Sequence, residues 1–187
     1  MFLKLKYLAT VVFIMTGIST VRGQDGNVPD QLVPVDESTG MVIYQEVVSE
    51  NGTKSDFFNR AVNWINEAYK NPTSVTTVRD PESGKIEGNY RFKIYKNVEE
   101  GIDMEWGTIL YSFKLEFKDG RYRYSFYDFL LKADSKYPLE RWLDPADPDY
   151  NETCVEKLQK VDAYMKDLIE DLELKMKPKE TKQEVEW

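Results

Sequence analysis

A chain of 187 residues with 33 acidic and 25 basic side chains, a net charge of −8 and no histidine is barred from several chemistries at once. Without histidine there is no Ser-His-Asp or Cys-His arrangement and no histidine-based zinc site, and a lone cysteine, Cys154, allows no internal disulfide. The acidic excess repels phosphate backbones and anionic lipid, so nucleic-acid binding has little electrostatic support.

In chain order, Lys4 and Lys6 precede an apolar run from Leu8 to Ile18, and Val21-Arg22-Gly23 follows where a signal peptidase would read. Residues 1–23 thus have the layout of a secretory signal peptide, with an uncleaved anchor as the competing reading. The expectation is an exported protein, periplasmic or extracellular, with no membrane span once the signal is removed. Removal takes away Lys4, Lys6 and Arg22 and no acid, so the mature chain is more acidic still. Residues 24–40, with Pro29 and Pro34, read as an extended leader, residues 41–177 as a single domain, and residues 178–187 as a loose tail.

Within the domain, Met41 to Val48 is rich in β-branched and aromatic residues and predicts a strand. Thr53 with Asp56 three residues on resembles a capping box, and Phe57, Phe58, Ala61, Trp64, Ile65 and Ala68 recur at helical spacing. Asn71-Pro72 ends that helix. Ser74 to Val78 predicts a short strand, and DPESGK (80–85) is turn chemistry. From Ile86 to Ile94 apolar residues alternate with polar ones, as in a half-buried strand. Residues 96–107, with Glu99-Glu100 and an isolated Trp106, read as a loop.

The stretch FKDGRYRYSF (117–126) carries the clearest local signal. Asp119-Gly120 predicts a two-residue hairpin of type I′, with positive φ at both central positions. Lys118 then faces Arg121, Phe117 faces Tyr122, Leu115 faces Tyr124 and Phe113 faces Phe126, all three ring-bearing pairs on one face. Glu116 faces Arg123 on the other, and a slip of one residue would put the rings in water. The last helix begins at Asn151-Glu152-Thr153, carries a stripe of Val155, Leu158, Val161, Met165, Leu168, Ile169 and Leu172, and ends near Lys177, before Pro178. The order β-α-β-β-β-β-α makes the fold class α+β.

Three stretches, VPVDESTGMVIYQEVV (33–48), RAVNWINEAYK (60–70) and KDGRYRYSFYDF (118–129), resemble a family of uncharacterised exported proteins of Bacteroides-type bacteria, described as a domain of unknown function with a TBP-like fold. The resemblance covers about residues 33–175. It implies a curved antiparallel sheet with both helices packed on one face. It does not imply DNA binding, since fold does not fix function, and it supplies no functional residues.

No side chain stands out as catalytic, so no enzyme activity and no cofactor or metal is expected. Cys154 reads as a small buried residue of the last helix. Asn51-Gly-Thr53 and Asn151-Glu-Thr153 match glycosylation acceptors, but both coincide with helix starts and are explained by capping. Asp128 would face Tyr111 on the apolar side if the hairpin register ran that far; a twist or bulge is the alternative. Two functional expectations follow. One is a non-catalytic binding module holding an apolar small ligand between the sheet and the last helix, lined by Tyr90, Phe113, Tyr124 and Phe126. The other is a protein-interaction or envelope-structural domain acting through exposed loops, with Trp106 and Trp142 as partner contacts.

Overall fold

The computed structural model describes residues 32–99 and 101–178. The expected signal peptide (1–23), the first part of the leader (24–31) and the tail beyond residue 178 lie outside the described residues. Along the chain come β1 (Tyr44–Ser49), α1 (Lys54–Ala68), a short α2 (Pro72–Val75), β2 (Thr76–Asp80), β3 (Lys85–Glu99), β4 (Ile102–Lys118), β5 (Arg121–Lys132), β6 (Lys136–Pro138), a 3-10 turn (Leu139–Trp142) and α3 (Thr153–Met176). The strands form one antiparallel sheet in the order β1-β5-β4-β3-β2, and β6 pairs with the far end of β5.

Both long helices cover the same face. Phe57 and Phe58 of α1 pack against Tyr122 and Phe117, and Tyr164 of α3 stacks on Phe92 with ring centroids 3.7 Å apart. Those strand residues share the side chain direction set by the pleat, so alternate residues of every central strand feed one core. The helices are tied to each other by the Trp64 indole, which donates to Asp171 at 2.9 Å. Among the described residues neither long helix lies on the opposite face of the sheet.

The capping box at α1 forms. Thr53 Oγ1 accepts from the Asp56 amide at 3.2 Å, and Asp56 Oδ2 accepts from the Thr53 amide at 2.9 Å. The bonds that the Asp56 carboxylate accepts from the Thr53 amide and hydroxyl hold it below the usual carboxylate range, the backbone bond contributing most. A third acceptor comes from afar, because Asp119 Oδ1 takes the Lys54 amide at 2.7 Å. The predicted register of β4 and β5 is present, from Lys118 opposite Arg121 to Phe113 opposite Phe126. The turn itself differs from expectation: Gly120 has φ of 74° but Asp119 does not adopt positive φ, so the turn is not type I′. Asp119 instead serves as the extra cap of α1. On the open face Arg123 pairs with Glu116, as the register requires.

Four other expectations change. The leader is not merely extended: Val33 is buried, Val35 bridges Val42, and the Asp36 carboxylate accepts from the Ser38 and Thr39 amides to close a turn. The strand expected at 41–48 is trimmed to Tyr44–Ser49 by that turn. Residues 72–75 are helical because Pro72 sits at the first helical position, where its fixed φ and missing N–H suit it, and β2 starts only at Thr76. The expected loop 96–107 is strand on both sides of a tight turn at Gly101, whose φ is 82°.

Candidate functional site

The four residues expected to line a cavity divide. Phe113 and Phe126 are fully buried and Tyr124 nearly so, and they pack on one another and on Tyr69 and Tyr111. The fit is tight enough to dictate a glycine: a Cβ on Gly88 would stand 2.5 Å from the Phe113 ring and 2.4 Å from the Val75 carbonyl oxygen. These rings therefore fill the space between sheet and helices. Their hydroxyl-bearing neighbours are satisfied inside it. Tyr69 and Tyr111 share a hydrogen bond at 3.1 Å, and the Tyr124 hydroxyl donates to Glu46 at 3.0 Å and to Glu173 at 3.2 Å. Burial, foremost, pushes all three phenols far above their usual range, so they act as neutral hydrogen-bonding groups and not as bases. Only Tyr90 of the four reaches the surface, half-buried against Tyr69.

The two indoles are likewise ends of the core. Trp142 is only 5% exposed. Trp106 is half-buried, and the Lys157 ammonium sits 5.2 Å from its ring centre and 5.3 Å from that of Trp142. A Lys96 ammonium lies over Trp106 from the strand side. Trp142 is thus a buried side chain of the 3-10 turn, not the exposed contact expected of a loop.

Asp128 marks an irregularity. Ser112 pairs with Tyr127 and Leu110 with Leu130, so Asp128 and Phe129 together oppose Tyr111 in a β-bulge. Phe129 takes the buried position, and Asp128, at φ 54°, turns out to solvent. It is the one non-glycine residue with positive φ among the described residues. Of the two readings open at Asp128, the bulge is the one present, and it keeps the carboxyl from burial against Tyr111 by shifting the alternation by one. A groove of about 500 Å³ beside the bulge is bounded by Met41, Leu110, Asp128 and Glu140. Glu140 Oε1 accepts the Val42 amide at 2.7 Å, which ties the 3-10 turn to the leader. Among the described residues no group of three or more acidic or thiol side chains is placed to hold a metal.

The feature that sequence reasoning missed is the length of β3 and β4. β5 accompanies β4 only as far as Thr108 opposite Lys132, and β2 accompanies β3 only as far as Gly88. Beyond those points the two strands continue as a two-stranded arm, pinned on the open face by Lys93 with Glu105 at 2.7 Å and by Asn97 with Asp103 at 2.6 Å. Tyr95, Val98, Ile102 and Met104 on this arm are 44%, 52%, 53% and 49% exposed. They make up half of the large, clearly exposed apolar side chains among the described residues; the others, Met41, Val47, Val155 and Leu174, are scattered. Part of the signal was in the sequence: Ile102, Met104 and Trp106 keep an apolar period of two, Ile94 and Val98 are in step on the other strand with Lys96 interrupting, and Glu-Gly stands between them as a turn.

Two grooves lie along the arm. One, of about 470 Å³, is bounded by Lys70, Ser74, Asn89, Tyr90 and Arg91, and the other, of about 240 Å³, by Phe92, Lys93, Tyr95, Lys160 and Tyr164. Each draws on residues from both faces of β3 and on one residue of β4, Leu110 in the first and Asp103 in the second, so each runs along β3 from its edge onto the open face.

Residues 44–132 match the model of a family described as a domain of unknown function (DUF4468) with TBP-like fold. Two crystal structures share the architecture. A DUF4468 family protein from Bacteroides ovatus superposes with a TM-score of 0.65 at 15% identity, covering 82% of this chain and 95% of that one. A TBP-like protein from Parabacteroides distasonis superposes with a TM-score of 0.62 at 16% identity, covering 78% of this chain and 97% of that one. At such identity the likeness is one of fold. No curated protein matches the chain. No helix among the described residues is long and apolar enough to cross a membrane.

Proposed function

We propose that this chain, whose strands β1 to β5 belong to a TBP-like family of unknown function, is an exported, non-catalytic protein-interaction domain that meets its partner through the β3–β4 arm. The observation that carries this reading is the gathering of Val98, Ile102 and Met104 on one face of a projecting hairpin, with Tyr95 exposed on the other. A contiguous exposed apolar patch is costly in water and characteristic of protein interfaces. Export rests on the layout of residues 1–23, and the lack of catalysis on the missing histidine and on the neutral, buried tyrosines. A ligand between sheet and α3 is the weaker reading, since Phe113 and Phe126 would have to part from rings they already touch.

Photo-crosslinkers placed at Val98 and at Leu174 in cells that export the protein separate arm-directed from indiscriminate contact. The expected result is a discrete adduct from position 98 that disappears with Ile102→Ser and Met104→Ser together. Equal adducts from both positions, or none from the arm, would refute the reading.

A further inference from the structure

We propose that the free edge of β3 between Asn89 and Asn97 accepts an extended segment of a partner protein in which acidic and apolar side chains alternate, adding it to the sheet as a further strand. This rests on the interaction reading above and names the chemistry of the partner.

Past Gly88 no described strand pairs with β3 on the side away from β4. Alternate residues there turn both N–H and C=O outward, a ready template for another strand. It is the longest unpaired stretch of edge on the central strands, whereas β1 and β2 are outer strands of six and five residues. The two edge grooves continue each other along it, from Lys70 and Asn89 at one end to Asn97 and Lys160 at the other.

The edge chooses among strands by charge. Arg91 and Lys93 stand on the open face, and Lys70 and Lys160 stand beside the edge from the helix layer. Lys93 already pairs with Glu105, but among the described residues no carboxylate lies within ion-pair distance of Lys70, Arg91 or Lys160. This strip, cationic but for Asp103, which lines the second groove and accepts from Asn97, belongs to a molecule whose net charge is −8. Positive side chains on a bare edge repel neutral and basic strands that would otherwise stack there, and complement acidic ones. The pleat then dictates the partner's pattern. Its residues on the open face meet Arg91 and Lys93, while the intervening ones meet Tyr90, Phe92 and Ile94 and the Tyr164 ring. Main-chain bonds supply affinity and the alternating side chains supply selection.

The test uses the full exported chain and two capped peptides, one alternating Glu and Val and one alternating Lys and Val. The Glu peptide is expected to slow amide exchange at alternate residues between Asn89 and Asn97. Its affinity should exceed that of the Lys peptide by about tenfold or more, and should fall by a similar factor with Arg91→Glu and Lys160→Glu combined. Equal binding of both peptides, or protection at β1 or β2 instead, overturns the proposal. So does protection of the edge without peptide that grows with protein concentration, which would assign it to a second copy. Protection without peptide that vanishes on deleting residues 179–187 would assign the edge to the chain's own Glu184-Val185-Glu186-Trp187, and also overturns it. Adducts from Val98 with no peptide bound would remove strand addition alone and leave the interaction reading standing.

Discussion

β3 and β4 run through two environments, and the same alternating pattern has opposite consequences in each. Between Ile86 and Phe92, and between Ile109 and Phe117, the inward side chains lie under α1 and α3 and, with the exception of the half-buried Tyr90, are buried. Some five to seven residues further along the same strands no described helix lies above, and Val98, Ile102 and Met104 are about half exposed. Hydrophobic alternation therefore specifies a strand and its two faces, but whether a face is core or contact surface is decided by what packs on it. The interior half is committed to folding and the arm to encounter, and substitutions should separate the two.

The largest effect is expected in the interior. Phe126→Ala should cost about 3–5 kcal/mol in denaturant unfolding, because the surrounding rings cannot collapse into the space. Gly88→Ala overpacks the same region and should cost about 1–3 kcal/mol, since one of its close neighbours is the Val75 backbone oxygen. Alkaline pH attacks the interior from a different side. The phenols of Tyr69, Tyr111 and Tyr124 are raised above their ordinary value near 10 in the folded state. Above pH 10 the unfolded chain binds fewer protons than the folded one, so their contribution is complete below about pH 10 and declines as pH rises further. Phenolate absorbance should show these tyrosines ionising together with loss of the fold, after the exposed ones; independent titration near pH 10 would contradict the buried geometry. Asp119→Ala, which removes an acceptor from the start of α1, should cost about 1 kcal/mol in the same unfolding experiment. Ile102→Ser with Met104→Ser should shift stability by no more than about 0.5 kcal/mol while abolishing adducts from the arm. A stability loss comparable to that of Phe126→Ala would mean that the arm is part of the core and erase the contrast.

The sequence disclosed the parts of the fold whose instructions are local. The Asp119-Gly120 turn set the register of β4 and β5 because only one pairing buries Phe113, Tyr124 and Phe126 together, and Thr53 with Asp56 announced α1 at the residue where it starts. The turn type escaped because Asp119 is drawn to an amide 65 residues away, and no local pattern encodes that demand. The arm escaped because its tip is acidic, and charge there was mistaken for irregular structure although the period of two continued. Trp142 was misplaced for a related reason: proline and aspartate around it read as loop, yet the 3-10 turn carries the indole into the core. The bulge at Asp128 was foreseeable only as a choice between a buried carboxyl and an interrupted ladder, and the cost of desolvating the acid decided it.

The bond from the Lys54 amide to Asp119 also has a temporal meaning. A ribosome releases α1 long before the hairpin exists, so the helix first emerges with its own Thr53–Asp56 clasp alone. Its first turn gains the remaining acceptor only when β4 and β5 have closed around Gly120, whose amide then reaches back to the Gly52 carbonyl. Early and late segments of the polypeptide thus mature together, and a nascent chain halted before residue 119 would hold a helix whose Lys54 amide still lacks its acceptor.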